Sequence, residues 1–307
     1  RLGNPRNKFG LIYLGHGPIN FRGELQRPYY EGSSVFTLRL LLKGNKKKIT
    51  EKAKFFLPLT LKALGLFGGA GARSRRGFGS LSLLSLSLDE QRVWKAPTNI
   101  NELIESQREL LNNLGLKTGE ESDLPDYTAF SDRTRIWIGK TGRHAIDLLN
   151  EIGLELSRYR GYGKGKNGKH KHILPNKEEA EQNFASDHDL IMQFCRTGEI
   201  GKHPDRMVFG LPHNYYFSST RETVQIQPTG KAGRRASPLF IHIHELNSDS
   251  YAAVLSLLPA RFLPKDTKIA ISAENRGTKE VDCCIDYKFI EDFMERPFFT
   301  QKVVVWP

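Results

Sequence analysis

The sequence predicts an α+β protein of two domains. Its 307 residues, 38% of them hydrophobic, supply enough apolar material for two modest cores. Some stretches repeat apolar residues at helical spacing, while others alternate apolar and polar residues at the period of a strand. Both kinds are interspersed along the chain. The boundaries follow shifts of composition: residues 1–92 as a first domain, 93–142 as a helical and loop connection, and 143–307 as a second domain.

Taken in order, "FGLIYLGHGP" from Phe9 is a short apolar run closed by Gly15, Gly17 and Pro18, which signals a strand and a turn. "VFTLRLLL" alternates, with Phe36, Leu38, Leu40 and Leu42 on one face of an expected strand. A helix follows from Thr50, an expected N-cap, with Ala53, Phe56, Leu57, Leu61 and Leu64 at helical spacing and Pro58 expected to kink or split it. "SLSLLSLSL" alternates again, and the adjacent Leu83 and Leu84 imply a bulge. "INELIESQRELLNN" is an amphipathic helix, and "RTRIWIG" a short strand.

A further helix is expected from Arg143, with Ile146, Leu149, Ile152 and Leu156 on one side. It runs into "RYRGYGKGKNGKHKH", where Arg158, Arg160, Lys164, Lys166, Lys169 and Lys171 meet no acid, so a mobile cationic loop is expected. "DHDLIMQFC" is a helix capped by Asp187 that buries Leu190, Ile191 and Phe194. "RMVFGLPHNYYFSS" reads as strand with a turn at Gly210 to Pro212. "RRASPLFIHIHEL" is a strand to which "YAAVLSLL" returns antiparallel across "NSDS".

Charge narrows the function classes. Against 46 Lys and Arg there are 34 Asp and Glu, a formal charge of +12, which draws polyanions and makes nucleic acid the leading partner. No segment reaches the roughly 18 uninterrupted apolar residues of a membrane span, and a soluble cytoplasmic protein is expected. Cys195, Cys283 and Cys284 suit neither a disulfide framework nor structural zinc.

The densest signal is "GGAGARSRRGFGS", Gly68 to Ser80, with five glycines and three arginines. It is not a dinucleotide fingerprint: that motif follows a strand and opens a helix, whereas this loop follows a helix and opens a strand, and Ser74 stands where the third glycine belongs. Nor does Lys-Ser/Thr follow a glycine as a Walker loop requires. Gly68, Gly69, Gly71 and Gly77 allow close backbone approach, Arg73, Arg75 and Arg76 offer forked donors to phosphate, and Phe78 offers a stacking face. Arg234 and Arg235 in "GRRASPLF" precede a strand in the same way, and are expected on the same surface.

These residues resemble the RAMP superfamily of CRISPR proteins, within it the first-subunit family of the type III-B Cmr effector complex. The loop, "YLGHGP" from Tyr13, "DHDLIMQF" from Asp187, "VFGLPHNYYFSS" from Val208 and "GRRASPLFIHI" from Gly233 all match that family's landmarks in order. The resemblance implies two ferredoxin-like, RRM-type domains, the first incomplete here because the family's opening strand and apolar-Pro-Ser-x-(Lys/Arg)-Gly motif is missing. It implies a non-catalytic RNA-binding structural subunit without cofactor, holding the 3′ end region of CRISPR RNA beside target RNA and other RAMP subunits.

A rival reading is a metal-independent RAMP endoribonuclease with His16 or His213 as general acid or base. A third is a general single-strand RNA chaperone. No metal is expected: "DHD" lacks partner histidines, His242 and His244 share one strand face that reads as solvated or RNA-facing, and His170 and His172 sit among lysines.

Overall fold

The computed structural model describes residues 7–32, 34–41, 47–117, 123–162, 174, 178–217, 220–230, 233–247, 249–301 and 303–306. The lysine-rich loop read from Lys164 to Lys171, with His170 and His172, lies outside the described residues.

The molecule is α+β with antiparallel sheets. Strands β3 (Arg135–Gly142), β6 (Leu239–Asn247), β7 (Ser250–Leu257) and β10 (Val303–Trp306) form one sheet in the order β10-β3-β7-β6, every neighbour antiparallel. Helix α4 (Ala145–Arg160) follows β3, and α6 (Lys288–Met294) precedes β10, and both lie on the same face. Strands β4 (His213–Phe217) and β5 (Glu222–Pro228), inserted before β6, join β8 (Ile269–Ala273) and β9 (Gly277–Val281), inserted after β7, in a second sheet, β4-β5-β8-β9. Its core includes Val224, Ile226, Ile269 and Ile271, covered by Ile191 and Phe194 of α5 (Ala185–Thr197). The expected hairpin across "NSDS" forms as β6 and β7, from Leu239 opposite Leu257 to Asn247 opposite Ser250.

The first sheet is covered on both faces, so β6 and β7 are buried along most of their length rather than on alternate residues. On one side Trp137, Leu239, Ile241 and Leu255 meet Leu149, Ile152 and Leu156 of α4 and Leu11 and Leu14 of α1 (Phe9–Leu14). On the other, Ile136, Ile138 and Val254 meet Leu59 and Leu66 of α2 (Lys47–Phe67) and Leu103, Leu110 and Leu111 of α3 (Ile100–Asn113). Residues 7–95 therefore contribute α1, α2 and the hairpin of β1 (Ser85–Leu88) and β2 (Gln91–Lys95), and the two helices clasp a sheet built from later residues.

Several local expectations change. Phe9–Leu14 is a helix, not a strand: a six-residue apolar run carries no decisive period, and docking on α4 settles it. There Asn150 Oδ1 accepts from Leu11 N at 3.2 Å and Asn150 Nδ2 donates to Asn7 O at 3.0 Å. Residues 35–41 make no ladder, and Phe36, Leu38 and Leu40 stand exposed, because alternation supplies a face but not a partner strand. Helix α2 begins at Lys47 instead of being capped by Thr50 and continues unbroken through Pro58. Strand β1 starts only at Ser85, and its irregularity falls between Leu86 and Ser87 rather than at Leu83.

Helix α4 starts at Ala145 and leaves Ile146 half exposed. Arg206 to Phe209, read as strand, lie in a 3-10 turn, Asp205–Phe209, before β4. Asp187 does not cap its own helix, which begins at Ala185. Its buried carboxylate caps the 3-10 turn instead, accepting from Asp205 N and Arg206 N, both at 2.8 Å.

Candidate nucleic-acid interface

The glycine loop is a tight hairpin laid along the free edge of β6. Gly69 and Ser80 bridge antiparallel, and Ala70 N donates to Gly79 O at 2.9 Å. Arg76 bridges Ile241 in parallel, Ile241 N donates to Arg75 O at 3.1 Å, and Ile243 N donates to Ser80 Oγ at 3.1 Å. The loop so closes an edge that would otherwise expose unpaired backbone groups. Two glycines are required by this path: Gly79 has φ +65° and a Cβ there would stand 2.0 Å from Ala70 O, and Gly77 has φ +85° with Leu149 Cδ1 2.4 Å from its virtual Cβ.

The three loop arginines reach neutral carbonyls, which leaves their charges uncompensated. Arg73 donates through Nε and Nη2 to His16 O, Arg75 Nη1 to Ser237 O at 3.0 Å, and Arg76 Nη2 to Phe209 O at 3.2 Å. Arg75 also lies over the Phe240 ring at 4.6 Å. Burial, then Arg234, lowers the Arg73 pKa; burial, then Arg235, lowers that of Arg75. Arg235 exchanges backbone hydrogen bonds with Leu211 and sets its guanidinium over Phe262 at 5.4 Å. The structure thus brings Arg73, Arg75, Arg234 and Arg235 together. Gly68 and Gly71 lie at the root and tip of the same hairpin, while Phe78 turns inward against the core instead of offering a face to a base.

Behind this surface stands a second, half-buried row of cations. Arg160, the last residue of α4, donates from Nη1 to Tyr13 OH at 2.9 Å and lies over the Phe209 ring at 4.7 Å. Arg206 donates from Nη1 to Arg160 O at 3.0 Å and lies over Tyr215 at 4.5 Å. Burial, followed by Arg160, pushes the Arg76 pKa down to about 10. The His213 ring stacks on Tyr215 at 5.0 Å, and burial together with Arg206 and Arg160 holds it neutral, well below the usual imidazole range.

Arg158 faces elsewhere. It is balanced after all, lying near Glu155 (3.4 Å), Glu178 (3.6 Å) and Glu181 (3.8 Å) in a network with Arg296. The acids come from its own helix and from the far side of the cationic loop, a pairing that local sequence does not reveal.

His242 and His244 are also corrected: neither faces solvent. Helix α2 covers them, and His242 Nδ1 donates to Gly68 O at 2.7 Å. His16 is exposed beside Phe21. Among the described residues no cluster of three or more His, Cys, Asp or Glu could hold a metal, and no helix is long and apolar enough to cross a membrane. Sequence reasoning missed Arg206 and Tyr13 as members of the cationic site. Tyr13 sits in a quoted landmark, but nothing local marks Arg206.

The chain is 24% identical over 264 residues to a protein of Pyrococcus furiosus named CRISPR system Cmr subunit Cmr1-1. That likeness is to a CRISPR subunit. It covers 83% of this chain and 62% of the relative's length, so the chain spans less than two thirds of that protein. No family model matches the chain. No solved structure matches it.

Proposed function

We propose that this chain is a non-catalytic, RNA-binding structural subunit of a type III-B CRISPR Cmr ribonucleoprotein in the cytoplasm, holding the 3′ end region of CRISPR RNA and helping to capture target RNA beside other RAMP subunits. The observation that carries the reading is the convergence of Arg73 and Arg75 from the glycine loop with Arg234 and Arg235 from the approach to β6. Forked, uncompensated guanidiniums of Arg73, Arg75 and Arg234 at one rim, with Arg235 set behind them over Phe262, suit a phosphate backbone, and the net charge of +12 steers it there. The distant likeness to a Cmr subunit supplies the setting. Two ferredoxin-like halves are part of the proposal. Strand order β10-β3-β7-β6, with α4 and α6 as crossovers on one face, is the order a split βαβ repeat takes, and it supports the second half. The passage from α2 through the glycine loop towards β1 supports the first.

Arg73 and Arg234 are both exposed, which makes their joint replacement a clean test. Arg73→Ala with Arg234→Ala should flatten the dependence of log affinity on log salt by about 1.4, two single-strand contacts at about 0.7 each. Anisotropy titration with CRISPR-repeat RNA at several salt concentrations measures it. An unchanged slope removes the shared phosphate surface. The same incubations, made without metal and resolved on a denaturing gel, judge the non-catalytic part: a defined cut would favour the endoribonuclease.

A further inference from the structure

Phe209 is the hub of an arrangement that the surface arginines do not explain. Arg160 lies on its ring, Arg76 donates to its carbonyl, and Arg206, three residues before it in the same 3-10 segment, donates to Arg160 O. Three guanidiniums from α4, the glycine loop and the 3-10 turn are thereby gathered in a half-buried position. The charged neighbours of Arg76 are Arg160 and Arg73, and those of Arg160 include Arg206, with Tyr13 and Tyr215 alongside. Among the described residues carboxylates approach the Arg206 end. Asp205 is its chain neighbour, and Asp187 has both oxygens engaged, Oδ1 by Asp205 N and Oδ2 by Arg206 N and Tyr215 OH. The Nε atoms of Arg160 and Arg206 are buried without a hydrogen-bond partner among the described residues. Aromatic faces and carbonyls return part of the cost of desolvating these cations, and Asp187 offsets Arg206, but no carboxylate among the described residues neighbours Arg76 or Arg160.

We propose that Arg76, Arg160 and Arg206, walled by Tyr13 and His213, form a pocket for a phosphate monoester, the terminal phosphate of an RNA strand, in preference to an internal phosphodiester. The inference rests on the RNA-binding reading and deepens it. A monoester carries close to two negative charges and three strong acceptor oxygens, one for each guanidinium fork, whereas a diester carries one charge and two free oxygens. Position argues the same way. The pocket lies behind Arg73, Arg75, Arg234 and Arg235, so a strand crossing that rim can turn its end inward, while a continuous backbone would have to enter and leave. A neutral His213 adds a hydrogen-bonding wall without a further charge.

The test uses the full chain and one short single-stranded RNA prepared with a 5′-phosphate, with a 3′-phosphate or with hydroxyl at both ends, with inorganic phosphate as competitor. At neutral pH one phosphorylated end should bind on the order of tenfold tighter than the hydroxyl-ended strand. That advantage should shrink as pH falls through ~6, where the monoester takes up its second proton. The two phosphorylated arms tell which strand end is bound, and inorganic phosphate should abolish the advantage selectively. Arg160→Gln should bring the phosphorylated strand down to the affinity of the hydroxyl-ended one, and Arg160→Lys should restore only part, since an ammonium lacks the fork. The wild-type comparison needs no variant to fold. Equal affinity for all three strands, with a normal salt slope, overturns the pocket and leaves the RNA reading standing; no binding of any strand overturns both.

Discussion

Gly153→Ala is expected to destabilise the protein by about 1–3 kcal/mol, the usual cost of overpacking a close contact. A Cβ at Gly153 would stand 2.3 Å from Gly10 O, and one at Gly10 would stand 1.9 Å from Asn150 O. Helices α1 and α4 therefore meet backbone to backbone, and the obstructing atoms belong to helices rather than to flexible side chains. The sign is what makes the experiment decisive. In an unobstructed helix interior the same substitution should stabilise by roughly 0.5–1 kcal/mol, because alanine has the better helix propensity. Thermal melting of the variant distinguishes the two, and a raised midpoint would mean that α1 does not dock here. The loss should extend to RNA binding, since α1 carries Tyr13, the partner of Arg160, and leads to His16, whose carbonyl holds Arg73.

Acid should unfold this protein sooner than its carboxylates alone would require. Burial pushes His242 down to about 3 and His244 to about 4, from a usual value near 6.5. With His242 Nδ1 donating to Gly68 O, His242 Nε2 must accept from His244 Nδ1 across 3.2 Å, so a second proton on His242 would break that contact, and one on His244 Nε2 would be buried without a hydrogen-bond partner among the described residues. In the unfolded chain both imidazoles protonate near 6.5, so below that pH the unfolded state binds more protons. The stability present above pH 6.5 should fall at about 1.4 kcal/mol per pH unit for each histidine, until the folded values near 4 and 3 are passed. Melting temperature measured from pH 7.5 to 4.5 should decline steadily in the wild type and much less in a His242→Gln, His244→Gln double variant. Parallel declines in the two proteins would refute the assignment.

How far the sequence carried can be judged element by element. "INELIESQRELLNN" forms helix α3 where its periodicity says, because its start signal is local: Asn99 caps Glu102 N at 3.0 Å, and the Glu102 carboxylate returns to Thr98 N at 2.8 Å. "FGLIYL" misled, since six apolar residues carry no decisive period and the choice of helix lay with α4. "VFTLRLLL" misled for a related reason, a face without a partner. Arg158 and Arg160, two residues apart in a run of cations, diverge completely: the helix turn sends one to Glu155 and the other to Tyr13.

By itself the sequence determined the cationic balance, the glycine and arginine loop between helix α2 and a strand, and the β6–β7 hairpin closed by "NSDS". These depend on residues that are neighbours in the chain, where period, turn chemistry and charge act within a few positions. Only the tertiary structure decided that the loop seals the edge of β6, that α2 buries His242 and His244, and that Arg76, Arg160 and Arg206 share one hub. Arg75 meets Ser237 across 162 positions and Arg76 meets Phe209 across 133, and such contacts arise when helices and sheet pack, which no local pattern records.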